Sequence, residues 1–175
     1  GLELDIDFKY IKSGLERFEG VFRRFQLKAD IDDIIVIDDY AHHPTEVQAT
    51  LKAARNGWKN RRIVAVFQPH LYSRTRDLYQ DFGSSFFDAE VCVITDVYPS
   101  REEPIEGVDG KLIADSAKEY GHRQVHYVAD KQDLPGKLKE IAQGGDVIIT
   151  MGAGDIYRYG EKFVENLKSG IKNLN

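Results

Sequence analysis

Three short runs in this chain are apolar at consecutive positions rather than alternate ones: residues 34–38 (IIVID), 63–67 (IVAVF) and 147–151 (VIITM). A strand with one face in water alternates apolar and polar side chains. A strand without alternation needs cover on both faces, which is the condition inside a parallel sheet. Two more β-rich runs follow the same spacing, 91–95 (VCVIT) and 125–128 (VHYV). Segments of helical periodicity lie between them. Residues 45–55 put Val47, Leu51 and Ala54 on one stripe, 74–87 put Leu78, Phe82 and Phe86 on another, and 111–120, 131–142 and 156–167 complete the set. This alternation predicts an α/β fold, an open and mostly parallel Rossmann-like sheet with helices on both faces. Residues 21–28 (VFRRFQLK) alternate more, which predicts one antiparallel strand at an edge.

Residues 7–18 read differently. Phe8, Ile11, Leu15 and Phe18 share a helical stripe and Gly20 supplies a stop, yet this helix precedes the first strand and belongs to no strand–helix unit. It is either a packing arm or the end of a preceding domain. The 175 residues suit one domain with a real core. A net charge of −5 and no basic run beyond Arg23-Arg24 and Arg61-Arg62 argue against nucleic acid. No apolar stretch has the length of a membrane span. The single cysteine, Cys92, excludes an internal disulfide and fits a reducing, cytoplasmic setting.

In open parallel sheets ligands bind outside the carboxyl ends of the strands. The unusual residues fall there four times, in DYAHHPTE, QPHLYSRTRD, DVYPSREEP and GAGD, while the helix-to-strand links NGWKNR, YGHRQ and AQGGD are ordinary turns. Starting a helix accounts for Pro44, Thr45 and Glu46 but leaves Tyr40, His42 and His43 unexplained. Adjacent histidines diverge, so a metal would also need Asp39 and His70, and none is expected to be held by this chain alone. In the second loop Ser73 or Thr75 can cap the next helix. Arg74 and Arg76 would sit where the helix dipole disfavours cations. Each calls for a carboxylate or phosphate partner, or else an ion pair with Asp77 or Asp81. The third loop reads as a solvated loop as readily as a site. Gly152-Ala153-Gly154-Asp155 offers close backbone approach and amides for an anion. No Gly-x-x-x-x-Gly-Lys-Ser/Thr and no Gly-x-Gly-x-x-Gly loop follows a strand, so the main cradle for any nucleotide phosphate lies elsewhere.

The ordered set DDYAHHPTEV, FQPHLYSRTRD, TDVYPSREEPIEGVDGK and GAGD resembles the C-terminal domain of the Mur ligases, ATP-dependent enzymes that build the peptide of peptidoglycan. The likeness covers nearly the whole chain and is strongest to the branch that joins L-alanine to UDP-N-acetylmuramate. It implies residues 1–20 as the terminal helix of a preceding central ATPase domain and 21–175 as the C-terminal domain. The N-terminal and central domains, absent here, would be its partners. ATP and Mg2+ would be held mainly by the central domain. ATP would convert the muramoyl carboxylate to an acyl phosphate, and the amine of L-alanine would displace phosphate to form the amide. By the same resemblance Arg24, Asp39 and Tyr40 reach the nucleotide. His42 and His70 line the closed cleft as catalytic groups. His70 and Arg74 meet the amino acid. Leu71 stands where some relatives carry a second arginine. Two other readings remain: a stand-alone nucleotide- or anion-binding module, and a small metal hydrolase using Asp39, His42 and His70.

Overall fold

The computed structural model describes residues 2–17 and 21–172. Six strands form one sheet: β1 (Gln26–Ile31), β2 (Ile34–Asp39), β3 (Arg62–Phe67), β4 (Val91–Thr95), β5 (Val125–Val128) and β6 (Asp146–Met151). Their spatial order is β1-β2-β6-β3-β4-β5, with β1 antiparallel to β2 and all other pairs parallel. The α/β expectation therefore holds, including the antiparallel edge. Strand β6 lies between β2 and β3, so the chain leaves β2, skips a strand position, and returns to fill it last. That order puts the carboxyl ends of β2, β6, β3 and β4 side by side on one rim.

The non-alternating runs are buried on both faces, as their composition requires. Helices α2 (Pro44–Gly57), α3 (Tyr72–Gly83) and α4 (Gly110–Glu119) cover one face, where Val47, Leu51, Phe82, Phe86 and Ile113 meet Ile37, Ala65 and Phe67. Helices α5 (Leu134–Ile141) and α6 (Ile156–Lys172) cover the other, where Leu134, Leu138, Ile156 and Phe163 meet Val64, Val66 and Ile148. Removing this apolar area from water, at roughly 25 cal/mol per Å², is the main term that holds the layers together.

Several boundaries differ from expectation for identifiable reasons. Strand β1 begins at Gln26 rather than residue 21, because Arg23 and Phe25 take positive φ (57° and 48°) and turn the chain before the ladder starts. A bulge between Leu27 and Ala29 then shifts its register. The β1–β2 turn is Asp32-Asp33, with φ of 51° and 60°, the two-residue hairpin that aspartate tolerates. The helix expected over 131–142 is split into a 3-10 turn, Lys131–Asp133, and α5, because Pro135 has no N–H to donate and suits only a first turn. The segment 74–87 becomes α3, which starts two residues earlier, followed by a 3-10 turn, Ser84–Phe86. Helix α6 runs past 167 to Lys172. At the start of the chain, α1 (Phe8–Glu16) is capped by Asp7, whose side chain accepts from Lys9 N, and buries none of its residues. Phe8, Tyr10 and Leu15 are exposed. Phe18 and Gly20, expected to end it, lie outside the described residues.

Candidate functional site

The rim is assembled by a buried arginine. Arg23 donates from Nε to Asp38 Oδ2 (2.8 Å), from Nη1 to the Gly154 carbonyl (2.9 Å) and from Nη2 to the Gly152 carbonyl (2.6 Å). The rings of Tyr40 and Tyr157 lie 5.1 and 4.6 Å from its guanidinium carbon. One side chain thus ties the turn before β1 to the ends of β2 and β6. Its own carbonyl accepts from Tyr40 N (2.7 Å). Burial pushes the Asp38 carboxyl upward, opposed by the hydrogen bonds from Arg23 and Thr150.

Asp39 is also buried, and its oxygens are engaged. Oδ2 accepts from Phe25 N (2.7 Å), and Oδ1 from Ala41 N (2.8 Å) and Thr50 Oγ1 (3.3 Å). It shapes the loop. Arg24, next to buried Arg23, is exposed, with its guanidinium carbon 5.5 Å from the Tyr40 ring. The two histidines part as expected. His43 precedes α2, its N–H going to Glu46 Oε2 (3.2 Å) and its ring Nδ1 to Thr45 Oγ1 (3.0 Å). His42 faces the rim: Nδ1 lies 2.9 Å from the Tyr40 carbonyl, which can only accept, so that nitrogen carries the proton and Nε2 is the basic one.

His70 stands 6.0 Å from His42, ring centre to ring centre, and stacks on Tyr98 (5.8 Å, 12°). Its Nδ1 is buried without a hydrogen-bond partner among the described residues. Burial lowers its pKa, and the charge of Arg74 and then His42 lower it further, which favours a neutral ring. Leu71 follows at φ 74°, a strained conformation for a branched residue, and swings the chain into α3. Arg74, in the first turn of α3 and half-buried, makes one long contact, to the His42 carbonyl (3.5 Å), and has no carboxylate partner among the described residues. Arg76 is different: Asp77 takes it in an exposed ion pair (2.8 Å). Neither Ser73 nor Thr75 caps α3, contrary to expectation. Thr75 Oγ1 donates back to the Leu71 carbonyl (2.9 Å), while Ser73 is held by Glu102 from the loop after β4.

The glycine loop packs closely. A Cβ at Gly152, where φ is 147°, would meet the Gln68 carbonyl at 2.8 Å, and one at Gly154 would meet Tyr98 at 2.6 Å. Asp155 is taken by Lys131 (2.7 Å) and Gln68 Nε2 (3.1 Å). Arg23, Tyr40, Tyr98, Gly154, Asp155 and Tyr157 are among the walls of a cleft of about 450 Å³. Among the described residues no three His, Cys, Asp or Glu side chains converge to hold a metal.

The model of the family described as "Mur ligase, glutamate ligase domain" matches residues 23–154. The chain belongs to this Mur ligase family. It is 54% identical over 169 residues to the UDP-N-acetylmuramate–L-alanine ligase of Salinibacter ruber, covering 97% of this chain and 36% of that protein. To the ligase of the same name from Geobacter sulfurreducens it is 48% identical, covering 95% of this chain and 36% of the relative. Among solved structures, the UDP-N-acetylmuramate–alanine ligase of Thermotoga maritima superposes with a TM-score of 0.79 at 33% identity, over 96% of this chain and 35% of that one. The chain thus spans about a third of the length of these Mur ligases.

Of the residues expected at the site, Tyr40, His42, His70, Arg74 and Arg24 gather on the same rim: Arg24 lies over the Tyr40 ring, Tyr40 packs on His42, His42 packs on His70, and Arg74 reaches the His42 carbonyl. Asp39 is on the rim but faces inward. Sequence reasoning missed Arg23 and Glu102. The first was signalled only by its pairing with Arg24, the second only by an acidic loop that reads equally well as solvated surface.

Proposed function

We propose that this chain is the C-terminal domain of an ATP-dependent UDP-N-acetylmuramate–L-alanine ligase, a C–N bond-forming enzyme of peptidoglycan precursor synthesis. The observation that carries the reading is Arg74: a half-buried guanidinium at a helix start, beside His42 and His70, with no carboxylate partner among the described residues. The full reaction transfers the γ-phosphoryl group of ATP to the muramoyl carboxylate, releasing ADP. The amine nitrogen of L-alanine then attacks the acyl carbon, and the C–O bond to phosphate breaks. On this chain Arg74 holds the alanine carboxylate through two parallel hydrogen bonds. Before the amine can attack, its ammonium form must lose a proton. His70, kept neutral by burial, and His42, through Nε2, flank that path.

Arg24 and Tyr40 meet the nucleotide, Arg24 as a cation for phosphate and Tyr40 as a ring for the base. Asp39 serves them by holding the loop that carries Tyr40. The residues here do not fit Mg2+, because the rim carboxylates Asp38, Asp39, Glu102 and Asp155 accept hydrogen bonds from the protein itself. No step on this chain runs through the metal. Residues 1–20 then belong to a preceding central ATPase domain, in keeping with the uncovered apolar side of α1, and 21–175 form the domain proper. The same reading puts the enzyme in the cytoplasm, in keeping with a free, buried Cys92. No helix among the described residues is long and apolar enough to cross a membrane.

The test is phosphate release by the full-length polypeptide. Release should require UDP-N-acetylmuramate and L-alanine together. Metal-dependent phosphate release by this 175-residue chain alone would instead favour the small metal hydrolase reading.

A further inference from the structure

Helix α3 begins without a cap of its own. Its N-cap residue, Leu71, has no side-chain acceptor, yet the first amides of any helix need one. The acceptor comes from across the rim. Glu102, 29 residues away in the loop after β4, accepts from Ser73 N through Oε2 (2.9 Å) and from Ser73 Oγ through Oε1 (2.5 Å). These bonds hold the Glu102 carboxyl below its usual range.

The same loop braces the preceding residues. Tyr98 N donates to the Pro69 carbonyl (2.8 Å), Leu71 N donates to the Tyr98 carbonyl (3.0 Å), and the Tyr98 ring stacks on His70. Residues 98–102 therefore run alongside 69–73 and grip them at both ends. His70 sits at one grip. Arg74 follows Ser73, the other grip, on the same helical turn. Any shift of Ser73 relative to β4 must move Arg74 with it, because the two are consecutive residues in the first turn of α3.

We propose that Glu102 is a positioning residue for the amino-acid acceptor, acting through Ser73 to set the Arg74 guanidinium against the His70 ring. This rests on the reading of residues 70–74 as the amino-acid side of a ligase. Glu102 does not touch the substrate. Its function is to fix, from a separate loop, the cation beside His70 that meets the carboxylate of L-alanine.

The test uses the full-length enzyme, with ATP and L-alanine varied in turn. Glu102→Ala should raise the KM for L-alanine roughly tenfold, about the loss of one well-placed hydrogen bond to a charged group, and leave the KM for ATP unchanged. Glu102→Gln keeps an acceptor oxygen and should fall between wild type and Ala, which guards against a variant that merely folds poorly. Ser73→Ala, which removes only the hydroxyl bond, should add nothing to Glu102→Ala, in which that bond is already lost. Equal rises in both KM values, or a lower Tm with both KM values unchanged, would overturn the proposal and leave Glu102 as an ordinary cap. If the wild-type enzyme showed no dependence on L-alanine, the ligase reading itself would fall, a result distinct from the preceding ones.

Discussion

Replacing Arg23 by methionine isolates the buried ion pair on which the rim is built. The side chains of Arg23 and Asp38 are 7% and 1% exposed, and their oppositely charged atoms are 2.8 Å apart. Methionine fills much of the same space but leaves Asp38 with Thr150 Oγ1, at 2.8 Å, as its remaining side-chain donor. Removing one member of a buried pair costs about 3–5 kcal/mol, because the other charge stays desolvated and uncompensated. For a chain of this size each kcal/mol moves Tm by roughly 2–4 °C, so Tm should fall by roughly 6–20 °C. Trp58, the one tryptophan, stacks on Phe25 (6.1 Å, 16°) beside the affected turn, so its fluorescence during urea unfolding is a suitable probe.

The same variant has a pH signature. Burial already pushes the Asp38 carboxyl up, and without Arg23 it should rise further. A carboxyl with a raised folded pKa binds more protons folded than unfolded between its two pKa values. Stability therefore falls as pH rises through that window, which opens near the unfolded aspartate value of about 3.9. The deficit of Arg23→Met should thus be smallest in acid and grow toward neutrality. Arg23→Met combined with Asp38→Asn should recover much of the loss. A deficit under about 1 kcal/mol, typical of an exposed pair, or no recovery in the double variant, would refute the argument from burial.

Three further outcomes are expected. In the full-length enzyme Arg74→Lys should raise the KM for L-alanine roughly ten- to a hundredfold, since lysine cannot make the two parallel bonds, whereas Arg24→Lys should weaken ATP use and spare alanine; the reverse pattern in steady-state kinetics would reassign both loops. Isothermal titration of this chain alone with Mg-ATP should give only weak binding, because no phosphate-cradling loop is present, and micromolar or tighter affinity would revive the stand-alone module. Amides of α1 should exchange far faster than those of β2 in a dilute monomer, given that α1 buries no residue, and equal protection would show that its stripe is satisfied within this chain.

The sheet was legible because its signal is local. Runs such as IIVID and IVAVF need cover on both faces, and no partner has to be known for that condition to be read. The edge strand was misplaced by five residues because the turn at 21–25 is set by contacts far away in the sequence. Arg23 takes its positive φ while bonding to Asp38, Gly152 and Gly154, partners 15 to 131 residues distant. The cap on α3 was missed for the same reason, since its acceptor lies in another loop.

Arg74 and Arg76 show what local pattern can and cannot decide. Both sit in the first turns of α3, and both call for an anion. Arg76 is satisfied by its neighbour Asp77, in a contact that is exposed and adjacent in sequence. Arg74 lies one residue before Thr75, which is fully buried against the preceding turn, and so is drawn toward the rim, where the nearest acceptor is a carbonyl at 3.5 Å. Asp38 and Asp39 divide in a comparable way, one neutralising Arg23 and the other folding the loop onto Phe25. Chemistry-bearing residues at the strand ends thus separate into two sets. Arg23, Asp38, Asp39, Glu102 and Asp155 spend their polar groups on the protein and make the rim rigid. Arg24, Tyr40, His42, His70 and Arg74 are instead held largely by ring packing and backbone contacts. On the proposed reading, a rim built of both sets suits a domain that meets its substrates across an interface, because the rigid set holds the second set in register.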